Sequence, residues 1–341
     1  MKRYCFLFAF FLLPFAHFAQ HFNEPEGYLD FINDHHREIA KEIVFYTNSL
    51  AHGKNARKEE PVRKSILHKL KSASFRIGGM PSYKSDKSLQ DSLVSYTRAT
   101  YAILHDEYPK VLSAQDSAKN SHEASISYWK AKDDALALLL KDEEKFNNAV
   151  KAFASQYKVD ISGNHEDEWE QLKTIREVSA YHQAAYLIYF KCEKKESELV
   201  KSVTAKNVTN MQAHTATLFN YVKQGLVSVD SLKEYKGDAS LYTATKQLLE
   251  FYQKECEFKM PSLITYHLKE ESYAKLKKDQ AGKSDTAMSL EDKEQMIKAT
   301  NEYNDLKTTY PVILQELGEE RPKLVANWNK AAQAFLKKQL P

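Results

Sequence analysis

Glycine and proline are both scarce in this sequence, with 9 residues of each in a chain of 341. Folds that need many tight turns, such as β-sandwiches, propellers and glycine-rich nucleotide-binding folds, depend on glycine, which is normally roughly 7% of residues. The shortage argues against these folds. The chain also contains no Gly-x-Ser-x-Gly elbow, no complete phosphate-binding P-loop and no glycine-rich dinucleotide turn, so nucleophilic and nucleotide chemistry has no local support.

Residue spacings typical of metal sites are missing as well. Neither Glu-x-x-His nor His-Glu-x-x-His nor Cys-x-x-Cys occurs, which argues against di-iron bundles, zinc hydrolases and redox or zinc-ribbon sites. His-x-x-Glu occurs at His35/Glu38, His165/Glu168 and His267/Glu270, and we interpret these as surface pairs because the chain has 12 histidines and 46 acidic residues. The sequence therefore predicts no metal, no cofactor and no enzymatic activity.

Cysteine is rare, and only Cys192 and Cys256 lie beyond the first few residues of the chain. Both fall on apolar helical stripes, where a buried free thiol is common. An exported location would also permit a disulfide between them. The sequence leaves both alternatives open.

The N-terminus has the pattern of an export signal. Lys2 and Arg3 precede an apolar run at residues 6–13, and Pro14 ends that run. The run is much shorter than the ~20 residues of a membrane span, so we predict a signal peptide over residues 1–19, with cleavage after Ala19. Cys5 precedes the apolar run and is not placed to accept a lipid at the cleavage point. The predicted location is the periplasm, the cell surface or the extracellular space.

Loss of Lys2 and Arg3 with the signal would lower the formal net charge from +3 to +1. A nearly neutral chain with interleaved charges has no general attraction for nucleic acid or an anionic membrane surface. Nucleic acid is therefore not a predicted partner. An envelope protein or a surface ligand is, and the sequence does not indicate the oligomeric state.

Apolar residues recur every three or four positions through most of the chain, which predicts an all-α fold. The predicted helices cover 28–50, 62–77, 89–103, 124–153, 169–203, 211–222 and 241–256, and two more lie within 290–340. Glycines fall between these segments, Gly225 among them, as expected at helix ends. We expect an elongated multi-helix bundle with long, kinked helices.

One internal similarity suggests a duplication. Residues 83–89 (YKSDKSL) and 235–241 (YKGDASL) share five of seven residues at an offset of 152, and Pro109 and Pro261 follow at the same offset. We predict two tandem related helical units, over residues 20–160 and 161–341. Asp86 and Asp238 are also good helix N-caps, so similar helix starts are an alternative explanation for the shared aspartates. Pro109, Pro261 and Pro311 are each expected to kink or end a helix.

The turn after the first predicted helix is the only local candidate for ligand binding. Gly53 breaks the helix, and we predict that an anion binds near the start of the next helix. The candidate binding residues are His52, Lys54, Arg57 and Lys58. The alternative is that these basic residues simply favour the carbonyl end of the first helix.

Aromatic residues are abundant, with 20 tyrosines and 17 phenylalanines. Tyr181, Tyr186, Tyr189 and Phe190 have helical spacing, which favours core packing. A ligand cavity between the two predicted halves is the alternative.

Several blocks in order resemble an uncharacterised family of exported bacterial proteins that are described as surface proteins. These blocks are HGKNARK (52–58), YLIYFK (186–191), YKGD (235–238), LLEFY (248–252) and NWNK (327–330). Ala51, in place of an expected serine, and Cys192 depart from the family pattern. The resemblance implies an α-helical exported protein without a known activity.

These observations favour an exported, non-enzymatic helical protein with a structural or interaction role in the envelope. The alternative is a periplasmic protein that binds a solute or cofactor in a pocket between the two repeats.

Overall fold

A computed structural model describes residues 23–53, 56–162, 167–281 and 288–341, and these residues form helices joined by short turns. The all-α prediction is confirmed. The only strand-like pairings within the described ranges are two isolated bridges. The α-helices are α1 (Pro25–Ala51), α2 (Ala56–Gly78), α3 (Ser88–Ala102), α4 (Tyr108–Ser117), α5 (His122–Tyr157), α6 (Asp167–Thr204), α7 (Val208–Leu232), α8 (Ser240–Lys254), α9 (Met260–Gln280) and α10 (Leu290–Gln339).

The chain divides into two compact units. Unit 1 contains residues 1–115, 130–176 and Pro341, and unit 2 contains residues 116–129 and 177–340. The chain passes from one unit to the other within α4, within α5 and within α6, and again before Pro341. The boundary at residue 160 that the sequence suggests therefore lies inside unit 1.

In unit 1, α2 packs against α1 and α3. The apolar residues of α1 that recur at helical spacing, including Ile32, Ile39 and Ile43, are buried, because the period of the pattern matches the turn of the helix. A cluster of three aromatic rings closes one end of this core. The ring centroids of Tyr28, Tyr83 and Phe153 lie 5.5–5.7 Å apart.

In unit 2, α8 packs against α7 and α10, and α9 packs against α10. This unit has its own cluster of three rings, formed by Tyr181, Tyr235 and Phe335, with centroids 5.1–5.4 Å apart. Both clusters therefore consist of one tyrosine from a long helix, one from a turn, and one phenylalanine.

The two turns that contain these tyrosines have the same backbone geometry. Tyr83 and Asp86 exchange two backbone hydrogen bonds of 3.1 and 2.8 Å, and Tyr235 and Asp238 do the same with the same lengths. The two central residues of each turn have positive φ, at 47° and 70° in the first turn and 49° and 82° in the second. Positive φ at both central positions is typical of a type I′ turn. The second of these residues is Gly237 in unit 2.

Asp86 and Asp238 each bind the first helical N–H group after their turn. The Oδ1 atom of Asp86 accepts the N–H of Ser88 at 2.8 Å, and that of Asp238 accepts the N–H of Ser240 at 3.0 Å. The N–H bond from Ser88 holds the pKa of Asp86 below the usual range, and hydrogen bonds from the side chain and the N–H of Ser240 do so for Asp238. Both aspartates lie one residue before the N-cap position, which Lys87 and Ala239 occupy.

Pro109 and Pro261 lie at matching places, each the second residue of a helix that follows a five-residue π-helical turn. The π-turns are Ile103–Glu107 and Glu255–Lys259. The N–H of the residue before each proline bonds five residues back, to the carbonyl oxygens of Ile103 and Glu255. The wider turn accompanies a residue that lacks a backbone N–H, since proline cannot continue the regular α-helical pattern.

Two expectations about helix ends were wrong. Residues 290–339 form one helix, α10, that continues through Pro311 and Pro322, where two helices were expected. Gly225 lies inside α7, where a Cβ atom would stand 3.1 Å from Leu249 Cδ2. Its lack of a side chain therefore allows close helix packing and does not mark a helix end.

Candidate functional site

The predicted anion site at the turn after α1 is only partly described. The backbone of His52 and Gly53 ends α1, with the His52 N–H bonded to the carbonyl of Asn48 at 3.0 Å and Gly53 at φ +76°. Lys54 lies outside the described residues, and so does the side chain of Arg57. His52 and Lys58 are exposed. The anion site therefore stays a prediction.

Cys192 and Cys256 are free and buried in the structure. Burial raises the pKa of each thiol to about 12, and at Cys256 the charge of Glu255 contributes to this rise. A thiol with such a pKa is almost fully protonated at neutral pH and is a poor nucleophile. Both side chains act as small apolar groups in the core of unit 2.

The aromatic residues of α6 pack in the core of unit 2. Tyr181, Tyr189 and Phe190 are buried, and Tyr186 stacks on Phe190 with a centroid distance of 4.8 Å. The Tyr189 ring lies 4.2 Å from that of Trp328. The expectation that these residues serve packing is confirmed for unit 2.

An open groove lies between α2 and α3 in unit 1, with a volume of ≈ 650 Å³. This size is within the usual range for ligand and peptide sites. Its lining contains an exposed aromatic residue, two cations and two glycines, Gly78 and Gly79, at the end of α2. We call it the α2–α3 groove, and its main residues are Leu70, Lys71, Phe75, Gly78, Arg98 and Tyr101.

Phe75 dominates the α2–α3 groove because 86% of its surface is exposed. Lys71 lies over the ring of Tyr101, at 4.9 Å from its centroid. Within the described ranges, neither Lys71 nor Arg98 forms an ion pair with a carboxylate. The groove thus offers an apolar anchor point beside two cations that are available to an anionic partner.

A second polar feature of unit 1 is buried. The His36 Nε2 atom lies 2.9 Å from Glu143 Oε1, and both side chains are almost fully inaccessible. The His36 ring stacks on Phe146 with centroids 4.1 Å apart. Tyr96 is also buried here, and burial together with the Glu143 charge raises the pKa of its hydroxyl well above the usual range.

Unit 2 contains a buried cluster of three ionisable residues, which we call the Glu–Glu–Arg cluster. Arg321 Nε contacts the carboxylate of Glu196, and Arg321 Nη2 donates to Glu255 Oε1 at 2.9 Å. Burial, reinforced by the charge of Glu255, raises the pKa of Glu196 to about 8. Burial raises that of Glu255 too, although Arg321 opposes the shift. One arginine between two buried carboxylates therefore favours retention of a proton.

The sequence contains a signal for some of these residues. His36 lies on the same stripe as Ile32 and Ile39, and Glu196 on the stripe of Cys192 and Leu199, so each is a polar residue at a core position. Phe75 is the reverse case, a large apolar residue at a position outside the buried stripe of α2. The partners of each residue are distant in the chain and have no sequence signal.

Within the described part of the chain, no group of three or more His, Cys, Asp or Glu residues has the geometry to hold a metal ion. None of the helices described is both long enough and apolar enough to span a bilayer.

No protein-family model matches this chain, and no curated protein or solved structure shows significant similarity to it. The resemblance to exported surface proteins therefore remains an expectation from the sequence.

Proposed function

We propose that this chain is an exported, non-enzymatic helical protein that binds a partner in the cell envelope through the α2–α3 groove. The observation that carries the proposal is the large exposed face of Phe75 beside two cations that have no acidic partner among the described residues. Exposed apolar surface that is bordered by polar residues is typical of sites that contact another molecule.

The chemistry of the groove favours an acidic partner segment with an apolar anchor. An apolar side chain from the partner would cover Phe75 and Tyr101, and carboxylates on either side of that anchor would reach Lys71 and Arg98. An amphipathic helix with acidic residues beside its apolar face has both features. The surfaces of Gly78 and Gly79 leave the end of the groove open to such a segment.

Site-specific photocrosslinking in cells tests the groove. A photoreactive phenylalanine analogue in place of Phe75 should crosslink to one dominant envelope protein. The double variant Lys71→Glu with Arg98→Glu should lower that yield about tenfold or more, because two attractive charge pairs become repulsive.

Matched controls come from α1. The same analogue at Phe45, which is 60% exposed, should give little crosslinking to this protein. The variant Lys41→Glu should leave the crosslink from position 75 unchanged. Equal crosslinking from positions 45 and 75 would contradict the groove. Loss of the crosslink in Lys54→Ala with Arg57→Ala, but not in the groove variants, would move the binding site to the basic turn after α1.

Export is the second part of the proposal. It is supported by the basic start, the apolar run at 6–13 and the small residue at Ala19. The mature chain in cell fractions should begin at Gln20 and lie outside the cytoplasm, and protease treatment of intact cells would distinguish the cell surface from the periplasm. A cytoplasmic chain that retains Met1–Ala19 would contradict export.

We also propose that the two units arose by duplication. The bounds of α3 and of its π-turn, and the start of α4, recur in α8, its π-turn and the start of α9 at a constant offset of 152. The residues that donate hydrogen bonds to the two aspartates lie at matching positions, each four residues after the phenylalanine of its aromatic cluster. Tyr157 donates to Asp86, and Gln339 donates to Asp238. Independent evolution of two helix starts would not explain equal turns, equal π-turns and corresponding partners.

A further inference from the structure

Two large apolar side chains are more exposed than any others in the described chain. Phe75 is 86% exposed and Leu290 is 76% exposed. Phe75 lies in the α2–α3 groove of unit 1, and Leu290 is the first residue of α10 in unit 2. Each is therefore available for contact with another molecule.

Leu290 is part of an exposed apolar stripe on α10. Ile297 is 61% exposed and lies seven residues after Leu290. This spacing places both side chains on one face of the helix, about 10 Å apart along its axis. Among the residues that the structure describes, no other two exposed large apolar residues of one helix are three, four or seven positions apart. We call residues 290–297 the α10 stripe.

The α10 stripe and the α2–α3 groove have opposite charges. The stripe (LEDKEQMI) contains three acidic residues and one lysine, which gives a net charge of −2. The groove lining contains two cations, Lys71 and Arg98, and no acidic residue. Glu291 and Glu294 of the stripe form no ion pair with any residue in the described ranges. Both surfaces therefore have charges that are available to a partner.

The lysines near the stripe are engaged within the chain. Lys293 has an interaction partner of its own. Lys298 lies just beyond the stripe, where it helps Lys269 to lower the pKa of Glu302. The acidic residues thus determine the charge that the stripe offers to another molecule.

The stripe has the features that the groove favours in a partner. A helix that docks in a groove commonly inserts apolar side chains spaced at i and i+7, which is the spacing of Leu290 and Ile297. Acidic residues beside those anchors complement the two cations of the groove. Every copy of the chain supplies one groove and one stripe.

We propose that the α2–α3 groove of one copy binds the α10 stripe of a second copy. The apolar side chains of the stripe cover Phe75, and its two carboxylates without ion pairs meet Lys71 and Arg98. This inference rests on the proposed function, because it names the occupant of the same groove. Reciprocal contacts between two copies give a closed dimer, and one-way contacts give a chain or a ring.

Sedimentation velocity of the purified mature chain tests this self-association. The apparent mass should rise with protein concentration, and added salt should weaken the rise because it screens the charge pairs. The groove variant is Lys71→Glu with Arg98→Glu, and the stripe variant is Glu291→Lys with Glu294→Lys. Each should weaken self-association about tenfold or more, since attractive charge pairs become repulsive.

A mixture of the two variants separates loss of binding from loss of folding. The groove variant retains the original stripe, and the stripe variant retains the original groove. The mixture should therefore associate again, although neither variant does so alone. In a closed dimer, the second contact joins two reversed sets of charges, which attract as well. The stripe variant also keeps Ser289 and Asp292, which cap α10.

A matched control changes the same charge elsewhere in unit 2. Glu250 and Glu320 are exposed, and neither forms an ion pair within the part of the chain that is described. Glu250→Lys with Glu320→Lys alters the net charge as much as the stripe variant does. This control should self-associate as the wild type does.

Three results would overturn the second copy as the occupant. They are a wild type that stays monomeric up to its solubility limit, a stripe variant that associates like the wild type, and a mixture of variants that does not associate. Photocrosslinking from position 75 in cells then separates this inference from the proposed function. A crosslink to residues 290–297 of another copy supports both. A crosslink to a different protein overturns only the second copy, and the absence of a specific crosslink overturns both.

Discussion

Glu196 lies on the buried face of α6, one turn after Cys192, and shares Arg321 with Glu255. Because burial raises its pKa to about 8, it carries a proton at neutral pH in the folded chain. In the unfolded chain its pKa would be near the usual value of about 4.3. Folding therefore takes up a proton between these two pH values.

This proton uptake predicts a pH dependence of stability. The contribution of Glu196 is fully present below about pH 4.3 and decreases as the pH rises to about 8, because the folded state binds more protons than the unfolded state in that window. The slope for one proton is at most about 1.4 kcal/mol per pH unit. Urea unfolding of unit 2, followed by Trp328 fluorescence from pH 5 to 8, measures it.

A matched pair of variants assigns this slope. Glu196→Gln mimics the protonated side chain and should remove most of the slope between pH 6 and 8. Glu198→Gln, two residues away, should keep it, because Glu198 is half exposed and Lys195 lowers its pKa. The assignment fails if both variants retain the wild-type slope.

The residue scale also limits prediction from sequence. A polar residue on an apolar stripe, such as His36 or Glu196, is visible in the sequence as an exception to the pattern. Its consequence is not visible, because a buried charge is either neutralised by a distant partner or shifted in pKa. Glu255 and Arg321 are 66 residues apart, and no local rule brings them together.

At the scale of elements, the two type I′ turns differ at their second central residue. Ser85 has φ +70°, and Gly237 has φ +82° with open space where a Cβ atom would lie. Left-handed backbone is unfavourable by roughly 1–2 kcal/mol for residues other than glycine. The turn before α8 is therefore less strained than the turn before α3.

Gly237→Ala should lower the free energy of unfolding of unit 2 by about 1 kcal/mol, since no steric contact adds to the backbone strain. Gly318→Ala is the control, because Gly318 lies in the interior of α10 with equally open surroundings. There, alanine should stabilise by up to about 1 kcal/mol through helix propensity. Chemical denaturation of both variants measures the difference, and a change of the same sign in both would contradict the strain argument.

Helix boundaries were the weaker part of the sequence prediction at this scale. Pro311 is a strong breaker in isolation, yet α10 continues through it, because packing of the whole helix against α8 and α9 outweighs one unfavourable position. The prediction of a turn at Gly225 was also wrong because it considered local sequence alone. The sequence does not show that Leu249 approaches the backbone of Gly225 closely.

At the scale of the whole molecule, the proposed duplication pairs each member of the Glu–Glu–Arg cluster with a residue of unit 1. Counting from the aromatic clusters and turns, Glu196 corresponds to Ile43, and Glu255 to Ile103. Arg321 corresponds in the same way to Leu139. All three apolar residues are buried. Under the proposed duplication, the three positions of the cluster are therefore apolar in unit 1 and ionisable in unit 2.

This correspondence predicts that the charges are not needed for folding. The triple variant Glu196→Ile, Glu255→Ile and Arg321→Leu should be as stable as the wild type or more stable, because apolar groups of similar size often replace buried ion clusters without loss. Arg321→Leu alone should destabilise unit 2 by up to about 3–5 kcal/mol, since the buried carboxyl groups of Glu196 and Glu255 lose the cation that they share.

Thermal and urea unfolding at pH 7 compare these variants. The triple variant should unfold at or above the wild-type midpoint, and the single variant well below it. A triple variant less stable than Arg321→Leu would show that the two layers do not correspond, and it would also weaken the proposed duplication.

The sequence by itself determined the all-helical class and the core face of most helices, because the three-to-four spacing of apolar residues is a local property that the turn of the helix converts directly into one buried side. The similarity of residues 83–89 and 235–241 also indicated that the two Tyr–x–x–Asp segments have related structures. Only the tertiary structure decided which buried charges meet, where the chain divides into units, and which aromatic residue is left exposed in a groove. Those features depend on contacts between residues far apart in the chain, and the free energy of such contacts is set by burial and geometry that no short stretch of sequence contains.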